Sequence, residues 1–69
     1  MTLEQIKAHI ARIHAADGDE EAQHKLEDEL HRNVIKAIAD NSYPSYAEAV
    51  RAADLALSTT EIKFTRWYA

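Results

Sequence analysis

Four histidines, His9, His14, His24 and His31, lie within the first 31 residues of the chain, and carboxylates crowd the last two. The run contains Glu21-x-x-His24 and, seven residues on, Asp28-x-x-His31. Spacings of three, four and seven put Glu20, His24, Glu27, Asp28 and His31 on one side of a helix. Glu-x-x-His beside further carboxylates is the ligand grammar of di-iron helical bundles, which makes His24, Asp28 and His31 weak candidates for a metal. Such sites draw ligands from four helices, and no other segment of this chain offers an inward carboxylate. On a helix the histidines also fall about 100° from the centre of the apolar side, at the edge of the core. The expectation is therefore ordinary i, i+4 pairs, Glu21 with Lys25 and Asp28 with Arg32, and no bound metal.

Other chemistry finds less support. Ser42, Ser45 and Ser58 read as turn or cap residues, and none has a histidine within a few positions to activate it. A single glycine leaves no phosphate-cradling loop. A chain of 69 residues has little volume for a pocket of about 300 Å3. Neither an enzyme nor a cofactor is expected.

Charge narrows the partners. The net charge is −4, and residues 17 to 29 carry Asp17, Asp19, Glu20, Glu21, Glu27, Asp28 and Glu29 against Lys25 alone. That stretch repels phosphate, and no basic cluster offsets it, so nucleic acid is not an expected partner. It reads either as the solvated face of a helix or as a docking surface for a basic protein, through Glu20, Glu21, Glu27 and Asp28. At the other end, five aromatics fall in the last 27 residues, with Arg66 beside Trp67 and Tyr68. Aromatics and arginine are enriched at interface hot spots. Arg66, Trp67 and Tyr68 thus form a second candidate for partner binding, with closure of a small core as the structural alternative.

The elements that must position these residues are helices. With one Gly, one Pro and thirteen alanines, little interrupts a helical path. Thr2-Leu3-Glu4-Gln5 is a capping box, and Leu3, Ile6, Ile10 and Ile13 follow as an amphipathic stripe, predicting a helix over about 3–16 ended by Gly18. Asp17 or Asp19 caps the second helix, about 19–40, whose stripe is Ala22, Leu26, Leu30, Asn33, Val34, Ala37 and Ile38. Ile35 joins Ile38 on a second apolar side. Pro44 breaks the path, and Ser45-Tyr46-Ala47-Glu48 opens a third helix, about 46–57, with the stripe Tyr46, Ala49, Val50, Ala53, Ala56 and Leu57. Leu55 points away from that stripe, either a lone exposed apolar residue or a contact for something else. The tail 58–69 fits a short helix or an extended segment folded onto the rest. The predicted fold is all-α: one domain, 1–69, a helical hairpin plus a third helix in a small three-helix bundle, with an aromatic C-terminal tail.

Nineteen large apolar residues make a marginal core, and without cysteine there is neither a disulfide nor a thiolate zinc site to reinforce it. Oligomerisation is the favoured remedy, a homodimer through Leu30, Val34, Ile35 and Ile38 of the second helix. No apolar run reaches the roughly 20 residues of a membrane span, and the N-terminus does not read as a signal peptide, so no membrane contact and a cytoplasmic location are expected.

Two segments, Asp19-Glu20-Glu21-Ala22-Gln23-His24-Lys25-Leu26-Glu27-Asp28-Glu29-Leu30 and Ile62-Lys63-Phe64-Thr65-Arg66-Trp67-Tyr68-Ala69, resemble short helical proteins of unassigned function from bacterial and phage genomes. The resemblance implies a small accessory protein, of phage or mobile-element origin, and no activity. The function expected is that of a non-enzymatic interaction or regulatory protein that binds another protein. The alternative is a metal- or ligand-binding helical dimer that uses the His/Glu stripe.

Overall fold

Thr2 starts the first helix as its spacing with Gln5 predicts. The Gln5 amide donates to Thr2 Oγ1 at 3.1 Å, and the Thr2 amide donates to Gln5 Oε1 at 2.8 Å. The computed structural model describes residues 1–66. They form α1 (Leu3–Ala15), α2 (Glu20–Ala39), α3 (Tyr46–Leu57) and a 3-10 turn, Ser58–Glu61. Each helix packs against the other two, giving a three-helix bundle with no strand among the described residues. Asp19 caps α2 by accepting from the Ala22 amide at 3.1 Å, and Ser45 caps α3 by accepting from the Glu48 amide at the same distance. The two joints use left-handed backbone. Gly18 has φ of +93°, and Asn41 has φ of +56°. At the second joint the Ser42 amide donates to the Ala37 carbonyl and the Asn41 amide to the Ile38 carbonyl. This doubly bonded stop ends α2 before Pro44 is reached.

Eight side chains make the core: Ile6 and Ile13 of α1, Leu30, Val34 and Ala37 of α2, Ala52 and Ala56 of α3, and Tyr43 from the connection. Three of the eight are alanines, so the helices approach closely while each contact buries little area.

Two helices are turned differently from the expectation. On α2 the buried line runs Gln23, Glu27, Leu30, Val34, Ala37. Ala22 and Leu26 are half-buried, while Asn33 and Ile38 are exposed. The polar residues on the inner line have partners inside the chain, Glu27 through both oxygens and Gln23 through Nε2, while Gln23 Oε1 has no partner among the described residues. On α3 the buried side is Ala52 and Ala56, flanked by Ala49 and Leu55. Leu55 packs against the core, so of its two readings it is a contact and not a lone exposed residue. Tyr46, Val50 and Leu57, expected to face inward, face out. After the 3-10 turn the chain continues through an extended Ile62, with ψ of 126°. Among the described residues no helix is long and apolar enough to cross a membrane.

Candidate functional site

The buried polar groups come first, because they claim most of the residues that could do chemistry. His9 sits between Ile6 and Ile13 on the inner face of α1, and its Nε2 donates to the Leu26 carbonyl at 2.8 Å. Gln23 Nε2 donates to the Ile13 carbonyl at 3.1 Å. Together they fasten the first half of α2 to α1 through backbone carbonyls.

Further along α2, Glu27 is 4% exposed and faces Arg66 in a two-pronged pair. Arg66 Nε donates to Oε1 at 2.8 Å and Nη2 to Oε2 at 2.9 Å. The same guanidinium donates to the carbonyls of Thr59, Ile62 and Phe64, and it stacks 3.9 Å from the centroid of the Phe64 ring. Burial alone would raise the Glu27 pKa. The hydrogen bonds and charge of Arg66, with smaller help from the neighbouring Thr59 and His31, outweigh it and hold the carboxyl below the usual glutamate value. One turn on, His31 Nε2 donates to the Ala56 carbonyl at 2.9 Å and lies 3.0 Å from Thr59 Oγ1. A histidine beside a hydroxyl has the geometry of a base and a nucleophile. Thr59, however, is fully buried and donates to the Ala56 carbonyl at 3.0 Å, closing the end of α3. The cluster is a clasp that holds the segment after α3 against α2.

The residues proposed from sequence are therefore distributed as follows. Glu20 accepts from the Thr65 amide at 2.6 Å, and Glu27 takes Arg66, so two of the four acids expected to meet a partner bind the chain's own C-terminal segment. Glu21 pairs with Lys25 at 3.2 Å, as expected. Asp28 stands 3.3 Å from His24 Nε2, where Arg32 had been expected. His24, Asp28 and His31 do not converge, since His31 is turned to α3, and no group of three metal-ligating side chains forms among the described residues. Leu30 and Val34, expected at a dimer interface, are 0% and 2% exposed in the single chain and belong to its core. Trp67 and Tyr68 lie outside the described residues.

What remains open is apolar. Ile35 and Ile38 of α2 are 67% and 41% exposed, and across from them on α3 stand Tyr46, Val50 and Leu57 at 87%, 49% and 63%. Between these banks lies a hollow of about 280 Å3, lined by His31, Val34, Ile35, Ile38, Ala53, Ala56 and Leu57. Ile38 also borders a second hollow of about 360 Å3 at the α2–α3 connection, more volume than a chain this short was expected to enclose. The hollow between the banks is the groove of α2 and α3, and Ile38 is the residue that it shares with the second hollow. The hydrophobic pattern places the residues of the α3 bank in the core, and the structure turns them outward. The signal for this was Leu55, whose placement beside Ala52 and Ala56 defines the true inner side.

The groove offers shape and apolar contact, with the single ring of His31 at its edge and no carboxylate in its lining. Compared with known protein families, with characterised proteins and with solved structures, the chain matches none.

Proposed function

We propose that this chain is a non-enzymatic interaction protein whose α2–α3 groove receives an apolar helical face of another protein chain. One observation carries this reading. Five large apolar side chains on two adjacent helices are exposed, while three of the eight core side chains beneath them are alanines. Contiguous apolar patches on small proteins mark docking sites, and an amphipathic helix is the shape that fits between two helical banks. The polar groups support it from the other side, since Glu27, Arg66, His31 and Thr59 are consumed in holding the fold.

The test is positional cross-linking in the producing cell. A photoreactive side chain in place of Val50 should form adducts with a protein chain, and the same group at Ala11, exposed on α1, should not. Equal labelling at both positions, or none at either, refutes the groove as the docking face.

A further inference from the structure

We propose that the occupant of the groove is a second copy of this chain, with α2 of each protomer laid over α3 of the other. This rests on the reading of the groove as a protein-docking face.

The first ground is the core. Five large side chains remain uncovered beside a core of eight residues, three of them alanine. A folding unit this small gains what its own core lacks by covering that surface.

The second ground is the charge on the two banks. The bond from His31 to the Ala56 carbonyl fixes the height of α2 against α3 and sets Arg32 level with the last turn of α3. Arg32 stands three residues before Ile35 on the rim of one bank. Asp54 stands four residues after Val50 and three before Leu57 on the rim of the other. Both are exposed, and neither takes part in an ion pair within the described residues. A two-fold axis along the groove keeps height and exchanges banks. It lays the isoleucines of one α2 on the Tyr46, Val50 and Leu57 side of the partner's α3. It also sets Arg32 of each copy against Asp54 of the other, twice over. A two-fold contact requires this self-complementarity, one sign on each bank at one height.

Sedimentation equilibrium of the purified chain tests the proposal. The parent should sediment at twice 7.8 kDa at micromolar concentration. Ile35→Lys should sediment as a monomer with an unchanged circular dichroism spectrum, and Ala11→Lys should remain a dimer. Arg32→Asp and Asp54→Arg should each weaken the dimer by about tenfold, because each sets like charges together twice. The double exchange Arg32→Asp with Asp54→Arg should restore it. A mass of 7.8 kDa at every concentration overturns the proposal. So does a dimer indifferent to Ile35→Lys. Charge exchanges without effect, alone or combined, overturn the laying of α2 on α3. The Val50 adduct separates this from failure of the underlying reading. A monomer in solution with an adduct to a different protein leaves the docking face standing and removes the second copy. A monomer with no adduct removes both.

Discussion

A carboxylate on the inner line of a helix is tolerated only while its charge is answered, and Glu27 is answered by Arg66 from 39 positions away. The two members of the pair are unequal. Arg66 lies beyond the 3-10 turn with its side chain 19% exposed, whereas Glu27 is anchored mid-helix at 6%. Arg66→Ala strands a buried carboxylate and should cost about 3 kcal/mol at pH 7. Glu27→Gln leaves an arginine able to turn toward water and should cost about half of that. The pH dependence follows from the direction of the Glu27 shift. Its carboxyl titrates lower in the folded chain than in the unfolded one, so the unfolded state binds the proton first. The stabilisation is complete above the unfolded value near 4.3. It disappears as pH falls through the folded value. Urea unfolding of the parent and Glu27→Gln should differ at pH 7, and the difference should shrink as pH falls below the unfolded value. An Arg66→Ala midpoint equal to the parent's at pH 7 would show that the pair is ornamental. Tyr43 offers a second test. Burial, and then the nearby Glu48 charge, push its pKa up, and its hydroxyl has no hydrogen-bond partner among the described residues. Tyr43→Phe should therefore leave thermal stability equal or raise it by about 1 kcal/mol.

At the scale of elements, the joints are decided by local backbone chemistry. Nothing lies within 4 Å of where a Cβ at Gly18 would stand, so the cost of Gly18→Ala, about 1 kcal/mol, comes from its positive φ alone. Asn41→Gly should be neutral, and Asn41→Val should lose about 2 kcal/mol, because a β-branched residue resists the left-handed region that ends α2. Thermal unfolding of the three variants measures both. Helix limits were legible in the sequence for the same local reason. Thr2, Asp19 and Ser45 each act within three residues, and the observed starts Leu3, Glu20 and Tyr46 follow directly from them. Which face turns inward was less legible. On α3 two stripes compete, one with Tyr46, Val50 and Leu57, the other with Ala52, Ala56 and Leu55. Hydrophobicity favours the first, but close helix approach selects the second. The clasp was hidden altogether, since no periodicity links Glu27 and His31 to Thr59 and Arg66. From sequence the acidic run reads as a solvated face or a docking surface and the Arg66 end as core closure or an interface, and in the fold Glu20 and Glu27 of the one meet Thr65 and Arg66 of the other.

For the molecule as a whole, the exposed groove ties stability to association. If two copies share it, the melting temperature should climb by a few degrees for each tenfold rise in concentration, and Ile35→Lys should abolish the dependence. The inner line of α2 carries another consequence, because its two halves are made of different materials. From Gln23 to Glu27 it is fastened by hydrogen bonds and an ion pair, and from Leu30 to Ala37 by dry packing. Acid attacks the first kind of fastening, and cooling weakens the second. Amide hydrogen exchange followed along α2 should therefore open from opposite ends under the two stresses. Residues 20–28 should lose protection first as pH falls, and residues 30–37 first as temperature drops, so that one continuous helix behaves as two cooperative units with separate triggers.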